Sequence, residues 1–270
     1  MTSARPILRL ESVSKVFDGL PVLDSIDLEI QPRQTTVIIG PSGCGKSVML
    51  KHLIGLISPD SGKVFFEDRE ITSLSERELV PIRKRMGFLF QGGALFDSMT
   101  ILENITFPMV EHNIGSAASR NHRCAEVLKL VGLDGMQERY PAELSGGQQK
   151  RIALARAIAL DPDVIFYDEP TTGLDPIRAD LINELILSLR NALDNTALVV
   201  THDIDSARKI GDRILMLHKG RFILDAPPSE IDNTTNSIVS GFIQGKASEE
   251  ELATIHGRLD REHGSGEERR

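Results

Sequence analysis

The chain has no tryptophan, and aromatic residues make up 4% of its 270 positions. Leu, Ile and Val must therefore fill any interior. There are two cysteines, Cys44 and Cys124, far apart and in no CxxC pair. This argues against a disulfide scaffold or a zinc site and fits a reducing compartment. A basic excess is also lacking: 31 Lys+Arg stand against 39 Asp+Glu, a formal net charge of -8. An acidic chain without a basic stripe is a poor binder of nucleic-acid backbone, so no nucleic acid is expected as a partner. No window approaches the ~20 apolar residues of a membrane-spanning helix. The start, Met1-Thr2-Ser3-Ala4-Arg5-Pro6, runs into a strand-like segment without an apolar h-region, so no secretory signal is expected. Any role in a membrane process needs a partner that supplies the spans.

What is present is a 40% hydrophobic chain, enough for one large domain or a core with a smaller lobe. Residues 7–13 and about 24–30 alternate apolar and polar side chains, the pattern of half-buried strands. Thr35-Thr36-Val37-Ile38-Ile39 is a short β-branched run that stops at Gly40, and a helix is expected over 47–56. Residues 58–62 have turn chemistry, and a strand returns at 63–67. From Gln91 to about Leu160 the pattern becomes helical, with Ala125, Leu128, Val131 and Gly132 fitting one face. Strand 164–167, a helix over 176–193 with the stripe Leu181, Ile182, Leu185, Ile186 and Leu189, and strand 197–200 follow. A hairpin is expected around Lys219-Gly220. Strands alternating with helices imply a largely parallel sheet covered on both faces. Near the end, Ser248-Glu249-Glu250-Glu251 has the capping-box pattern before Leu252, Ile255 and Leu259.

Gly40-Pro41-Ser42-Gly43-Cys44-Gly45-Lys46-Ser47 has the spacing of a phosphate-binding loop. Its glycines allow a tight turn in which backbone N–H groups converge on phosphate oxygens, and the following helix adds its positive end. Lys46 supplies a mobile charge for β/γ-phosphates, and the Ser47 hydroxyl is a Mg²⁺ ligand. Val164-Ile165-Phe166-Tyr167-Asp168-Glu169 is an apolar run ending in two carboxylates. Asp168 is expected at the Mg²⁺ shell, and Glu169 is expected to orient and deprotonate an attacking water. Leu144-Ser145-Gly146-Gly147-Gln148 precedes a helix expected over 148–160. Its glycines expose N–H groups at that helix start, a second anion site. A plain N-cap by Ser145 is the alternative, although a cap alone does not require Gly-Gly-Gln.

The three motifs in this order resemble the ATPase subunit of an ABC transporter, and the resemblance runs from Ile7 to Ala226. It implies an α/β P-loop (RecA-like) ATPase core with a mostly parallel sheet and an inserted α-helical subdomain, the ABC nucleotide-binding domain. The expected division is a domain over 1–228, with core 1–91 and 161–228 and helical subdomain 92–160, then a C-terminal extension over 229–270. The resemblance implies ATP and Mg²⁺ as cofactors. It implies that His202 contacts the γ-phosphate and that Gln91 senses metal and γ-phosphate. Phe17 is placed under the adenine, where an ordinary core Phe remains the competing reading. It implies a homodimer in which Ser145, Gly146, Gly147 and Gln148 reach the nucleotide of the other copy, while Asp175, in Thr172-Gly173-Leu174-Asp175, crosses the interface.

The segment 82–100, with Glu103-Asn104-Ile105-Thr106-Phe107-Pro108 after it, looks like the ATPases of the Mla/Mce/TGD lipid-transport systems. That resemblance implies a transmembrane permease subunit docked on the apolar loop residues Leu95, Phe96 and Met99, with ordinary packing under the helical lobe as the alternative. It also implies a small STAS-type regulatory subunit and a periplasmic MCE lipid-binding subunit in the complex. The expected place is the cytoplasmic face of the inner membrane. The stripe Leu252, Ile255 and Leu259 is a candidate arm onto the neighbouring copy. A transporter of amino acids, anions or drugs, and a non-transport ATPase, remain as alternatives. Cys44 is read first as a small residue that fits the phosphate loop, with a target for thiol reagents that would block ATP binding as the alternative.

Overall fold

A computed structural model of the protein describes residues 5–246. The candidate arm residues Leu252, Ile255 and Leu259 and the capping pattern at Ser248 lie outside them. The chain divides into two compact units, Met1–Pro228 and Ser229–Arg270.

In the first unit the strands fall into two sheets. β1 (Leu8–Phe17), β2 (Leu20–Ile30), β4 (Ser61–Phe66) and β5 (Arg69–Glu70) form an antiparallel sheet in the order β2-β1-β4-β5. β3 (Thr35–Ile39), β6 (Met86–Leu89), β7 (Val164–Asp168), β8 (Thr196–Thr201), β9 (Arg213–His218) and β10 (Arg221–Ala226) form the second, in the order β10-β9-β3-β8-β7-β6. All neighbours in it are parallel except the hairpin β9–β10. Every residue of β3, β7 and β8 is buried, as strands covered on both faces must be. The expectation of a largely parallel sheet holds for this second sheet but misses the separate antiparallel one. Its strands bury alternate residues, the mark of a sheet with one wet face. The β9–β10 turn has Lys219 and Gly220 both at positive φ, 46° and 77°, the backbone that a two-residue hairpin favours.

α1 (Lys46–Leu53) follows the phosphate loop. Its Met49, Leu50 and Leu53 are fully buried in one apolar core with Leu8 and Leu10 of β1, Ile38 of β3, Phe166 of β7 and Leu198 of β8. α2 (Glu76–Arg83) is a single short helix with a Ser75/Glu78 capping box. The helical lobe comprises α3 (Ile101–Glu111), α4 (Ala117–Leu130) and α5 (Gly146–Ala157), with a 3-10 turn at Pro141–Glu143. The buried face of α4 is Cys124, Val127 and Leu128; Ala125, expected on that face, is exposed. α6 (Pro176–Leu193) has the expected bounds and buries Ile182, Ile186 and Leu189. Leu181, expected on the same stripe, is 58% exposed. Asn183 takes the buried place instead and donates to Ser206 Oγ of α7 (Ile204–Ile210) at 2.8 Å.

The second unit contains α8 (Ser237–Ile243), capped by Asn236, whose side chain accepts from Ile238 and Val239 N–H.

Candidate active site

Parallel strands deliver their loops to one edge of a sheet, and ligands of such sheets bind outside the carboxyl ends. The register here fixes which residues meet. Ile39 pairs with Thr201, Asp168 with Val200, and Leu89 with Tyr167. The phosphate loop after β3, Glu169 after β7, His202 after β8 and Gln91 after β6 therefore leave from the same edge. Distant stretches of sequence thus converge without any long excursion of the chain.

Gly40, Gly43 and Gly45 all have positive φ, and at Gly40 and Gly45 space also forbids a side chain. A Cβ at Gly40 would lie 2.2 Å from Leu217 O, and one at Gly45 2.8 Å from Val22 O. Cys44 N–H turns back to Pro41 O at 3.3 Å. α1 begins after Gly45 with no side-chain cap on its first turn, leaving that end suited to an anion. Lys46 is buried and lies back across the loop, its Nζ donating to Gly40 O at 2.7 Å and Pro41 O at 3.0 Å. The same Nζ is 3.9 Å from Glu169 Oε1.

Ser47 Oγ donates to Asp168 Oδ1 at 3.0 Å. Burial pushes the Asp168 carboxyl above the usual carboxylate range, with the Ser47 hydrogen bond pulling the other way. Lys46 and Lys51 offset that burial only in part, and a buried carboxyl beside a hydroxyl fits a hard divalent cation, which takes oxygen ligands. Glu169 is buried and has φ of 51°, a conformation seldom adopted by a non-glycine residue. Its Oε2 faces three donors: His202 Nδ1 at 2.8 Å, Thr172 Oγ1 at 3.1 Å and Thr201 Oγ1 at 3.4 Å. Donation from His202 to this oxygen requires the tautomer with its hydrogen on Nδ1. Oε1 is left on the side of Lys46 and the phosphate loop.

Phe17 ends β1 and is 43% exposed, with Lys15 Nζ 5.3 Å from its ring centre. It is therefore not a core residue. Gln91 is exposed, two residues beyond β6. Cys44 is half-buried, and burial pushes its thiol pKa up. A protonated thiol is a poor nucleophile, which favours reading Cys44 as a small residue that fits the loop over a target for thiol reagents.

Ser145, Gly146, Gly147 and Gln148 are not part of this cluster. α5 begins at Gly146, not at Gln148, so both glycines lie in its first turn. Gln148 is part of the cap after all. Its Oε1 accepts from Ser145 N–H at 2.9 Å, while Ser145 Oγ accepts from Gln148 N–H at 3.4 Å. The Gly-Gly pair is what the cap does not need. A Cβ at Gly146 would meet nothing within 4 Å, and one at Gly147 would face Arg178 and Leu174 at 3.6 and 4.0 Å. Asp175 caps α6, accepting from Arg178 N–H at 3.0 Å. Thr171, Thr172, Leu174 and His202 line a cleft of about 620 Å³.

Sequence reading missed three polar residues that hold the neighbouring loops. Asn104, fully buried in α3, accepts from Phe96 N–H and donates to the carbonyls of Phe96, Met99 and Thr100. Arg156 donates to Ala94 O at 2.8 Å and Gly93 O at 2.9 Å. Lys150, 9% exposed, donates to Pro170 O and Thr172 O. Lys150 was visible in principle: with Gly147 and Leu154 it falls on one helical face, where an apolar residue is the rule. On the loop itself Phe96 is 39% exposed, its ring 4.7 Å from that of Phe107 and tilted 49° to it, while Leu95 and Met99 are half-buried.

The family described as ABC transporter matches residues 23–172. The chain belongs to this family. As an ABC transporter subunit it binds and hydrolyses ATP. It is 38% identical over 245 residues to the intermembrane phospholipid transport system ATP-binding protein MlaF of Escherichia coli K12, covering 91% of each chain. It is 37% identical over 239 residues to the probable ribonucleotide transport ATP-binding protein mkl of Mycobacterium leprae, covering 88% of this chain and 69% of that one. The dimeric post-hydrolysis structure of the ATP-binding cassette MJ0796 bound to ADP and Pi superposes with a TM-score of 0.75 at 35% identity, covering 82% of this chain and 98% of that one. The fold is thus the ABC nucleotide-binding domain. Among the described residues, no helix is long and apolar enough to cross a membrane.

Proposed function

We propose that the chain is the ATPase of a lipid transporter, working as a homodimer on a membrane-spanning permease at the cytoplasmic face of the inner membrane. The observation that carries the mechanism is the Glu169 carboxylate, buried between His202 and Lys46 at the strand edge. Gly40, Pro41, Ser42, Gly43, Cys44 and Gly45 wrap the phosphates, and Lys46 trades its two loop carbonyls for their oxygens. Phe17 offers its exposed face to the adenine. Ser47, Asp168 and Gln91 would hold Mg²⁺, which when bound neutralises charge on the β/γ-phosphates.

In hydrolysis a water oxygen bonds to the γ-phosphorus, its proton passes to Glu169, and the bond to the ADP oxygen breaks. His202 holds the Glu169 carboxylate and contacts the γ-phosphate. Ser145, Gly146, Gly147 and Gln148 lie away from this site and, with Asp175, complete that of a second copy. The γ-phosphate then helps hold the copies together, so its loss loosens them. This is a ligand with unequal affinity for closed and open states.

Lipid as cargo is supported by the likeness to the phospholipid-transport protein MlaF and by the exposed Phe96 on a loop fixed by Asn104, a surface for the permease. A STAS-type regulatory subunit and a periplasmic MCE lipid-binding subunit complete this reading. The likeness to mkl favours a second reading, ribonucleotide transport. Purification of the complex from detergent-solubilised membranes, with mass spectrometry of bound protein and lipid, separates them. A co-purifying permease with bound phospholipid is expected. A permease binding ribonucleotides and no lipid would contradict the lipid assignment.

A further inference from the structure

We infer that Lys150 is a positioning residue that ties the first turns of α5 to the Glu169 carboxylate of the same chain. The inference rests on the ATPase reading above. Lys150 is buried, yet the oxygens on its ammonium are backbone carbonyls, Pro170 O at 2.8 Å and Thr172 O at 2.5 Å. These flank Thr171, so the ammonium pins the stretch from Pro170 to Thr172 from both ends. Thr172 in turn donates its hydroxyl to Glu169 Oε2 at 3.1 Å, and its N–H points to Glu169 O at 3.3 Å.

The pinned stretch lies between two left-handed residues, Glu169 with φ of 51° before it and Gly173 with φ of 78° after it. Thr171 also donates to Asp203 Oδ2 at 3.4 Å, but without Lys150 the carbonyls of Pro170 and Thr172 would lose their side-chain donor. Its charge-assisted pair of hydrogen bonds serves both carbonyls. Lys150 lies one turn beyond Gly147, on the same buried face of α5. A shift of the α5 start is therefore transmitted through Lys150 and Thr172 to Glu169. In a pair of copies the α5 start faces the partner's nucleotide and Glu169 faces its own, so Lys150 makes each base responsive to the opposite pocket.

The test uses the full chain with Lys150→Met, which keeps the apolar stem and removes the donors, and Lys150→Arg, which keeps charge and donors. Phosphate release is followed against ATP concentration, and ATP binding by calorimetry. For Lys150→Met, kcat should fall about tenfold or more while ATP affinity stays within about twofold, as expected when a transition-state arrangement alone is lost. The wild type is expected to show a sigmoidal ATP dependence that becomes hyperbolic in Lys150→Met, and Lys150→Arg should restore most of both. Thr172→Val, which keeps the carbonyl but not the hydroxyl, should show the same kcat loss and serves where Lys150→Met does not fold. Wild-type turnover and sigmoidicity in Lys150→Met or Thr172→Val overturn the inference. So does a hyperbolic wild type, or a loss of kcat matched by an equal loss of ATP affinity. A wild-type chain that does not hydrolyse ATP sinks the ATPase reading itself, an outcome distinct from these.

Discussion

His202 Nδ1 lies 2.8 Å from Glu169 Oε2, across the gap between the ends of β8 and β7. One carboxylate oxygen is thereby occupied by the imidazole and two threonine hydroxyls, and the other is left toward the phosphate loop. That division suits a base that must be held in place and still accept a proton.

Glu169→Gln keeps size and hydrogen-bonding capacity but has no basic oxygen. Hydrolysis should fall by about 10²–10⁴-fold, the range for loss of a general base, with ATP binding retained. Phosphate release and calorimetry on the same preparation check this, and normal turnover would refute the base assignment. Lys46→Ala should instead weaken ATP binding itself.

Burial raises the Asp168 pKa in the folded state. For an acid, a raised folded pKa means stability is greatest below the unfolded pKa and is lost as pH rises through the folded one. Asp168→Asn should therefore raise the melting temperature of the nucleotide-free chain at neutral pH. The two proteins should converge as pH falls toward the unfolded carboxylate value. A variant melting below the wild type at neutral pH would contradict the account.

Both cysteine thiols have raised pKa values, Cys124 to about 11, and burial is the main cause for each. Alkylation by iodoacetamide at pH 7 should be slower than for a free cysteine and should accelerate with rising pH. Mass spectrometry of the intact chain reads the rate. Fast labelling of Cys44 at pH 7 would restore it as a reactive site.

Asn104→Ala takes the side-chain amide from the Phe96 N–H and the Met99 carbonyl, while the Phe96 and Thr100 carbonyls keep the backbone N–H groups of Met99 and residue 104. Stability should drop by about 1–3 kcal/mol, the cost of unsatisfied buried polar groups, measured by urea unfolding. Binding to the solubilised permease should weaken as well, since the loop bearing Phe96 loses its anchor. Unchanged stability would mean that Asn104 does not organise the loop.

Much of the site could be read from the chain because its parts are local. The bends at Gly40 and Gly45, the helix after them and the carboxylates closing an apolar strand each follow from a few adjacent residues. The two-sheet arrangement was less legible. The alternation in β1 and β2 shows one wet face, but nothing local says that these strands leave the parallel sheet. On α6 Leu181 is exposed and Asn183 is buried, where Ser206 of another helix accepts from its amide. Lys150 and Asn104 act on carbonyls remote in sequence or on an irregular loop, and backbone groups carry no residue signature. Gln148 was read for its motif alone, while its bond to Ser145 spans three residues and follows an ordinary capping rule.

The most direct measurement is the solution mass of Glu169→Gln with and without ATP and Mg²⁺, by light scattering on a sizing column. The account predicts one copy without nucleotide and two copies with it. A single copy under both conditions, alone and with the solubilised permease, would contradict it.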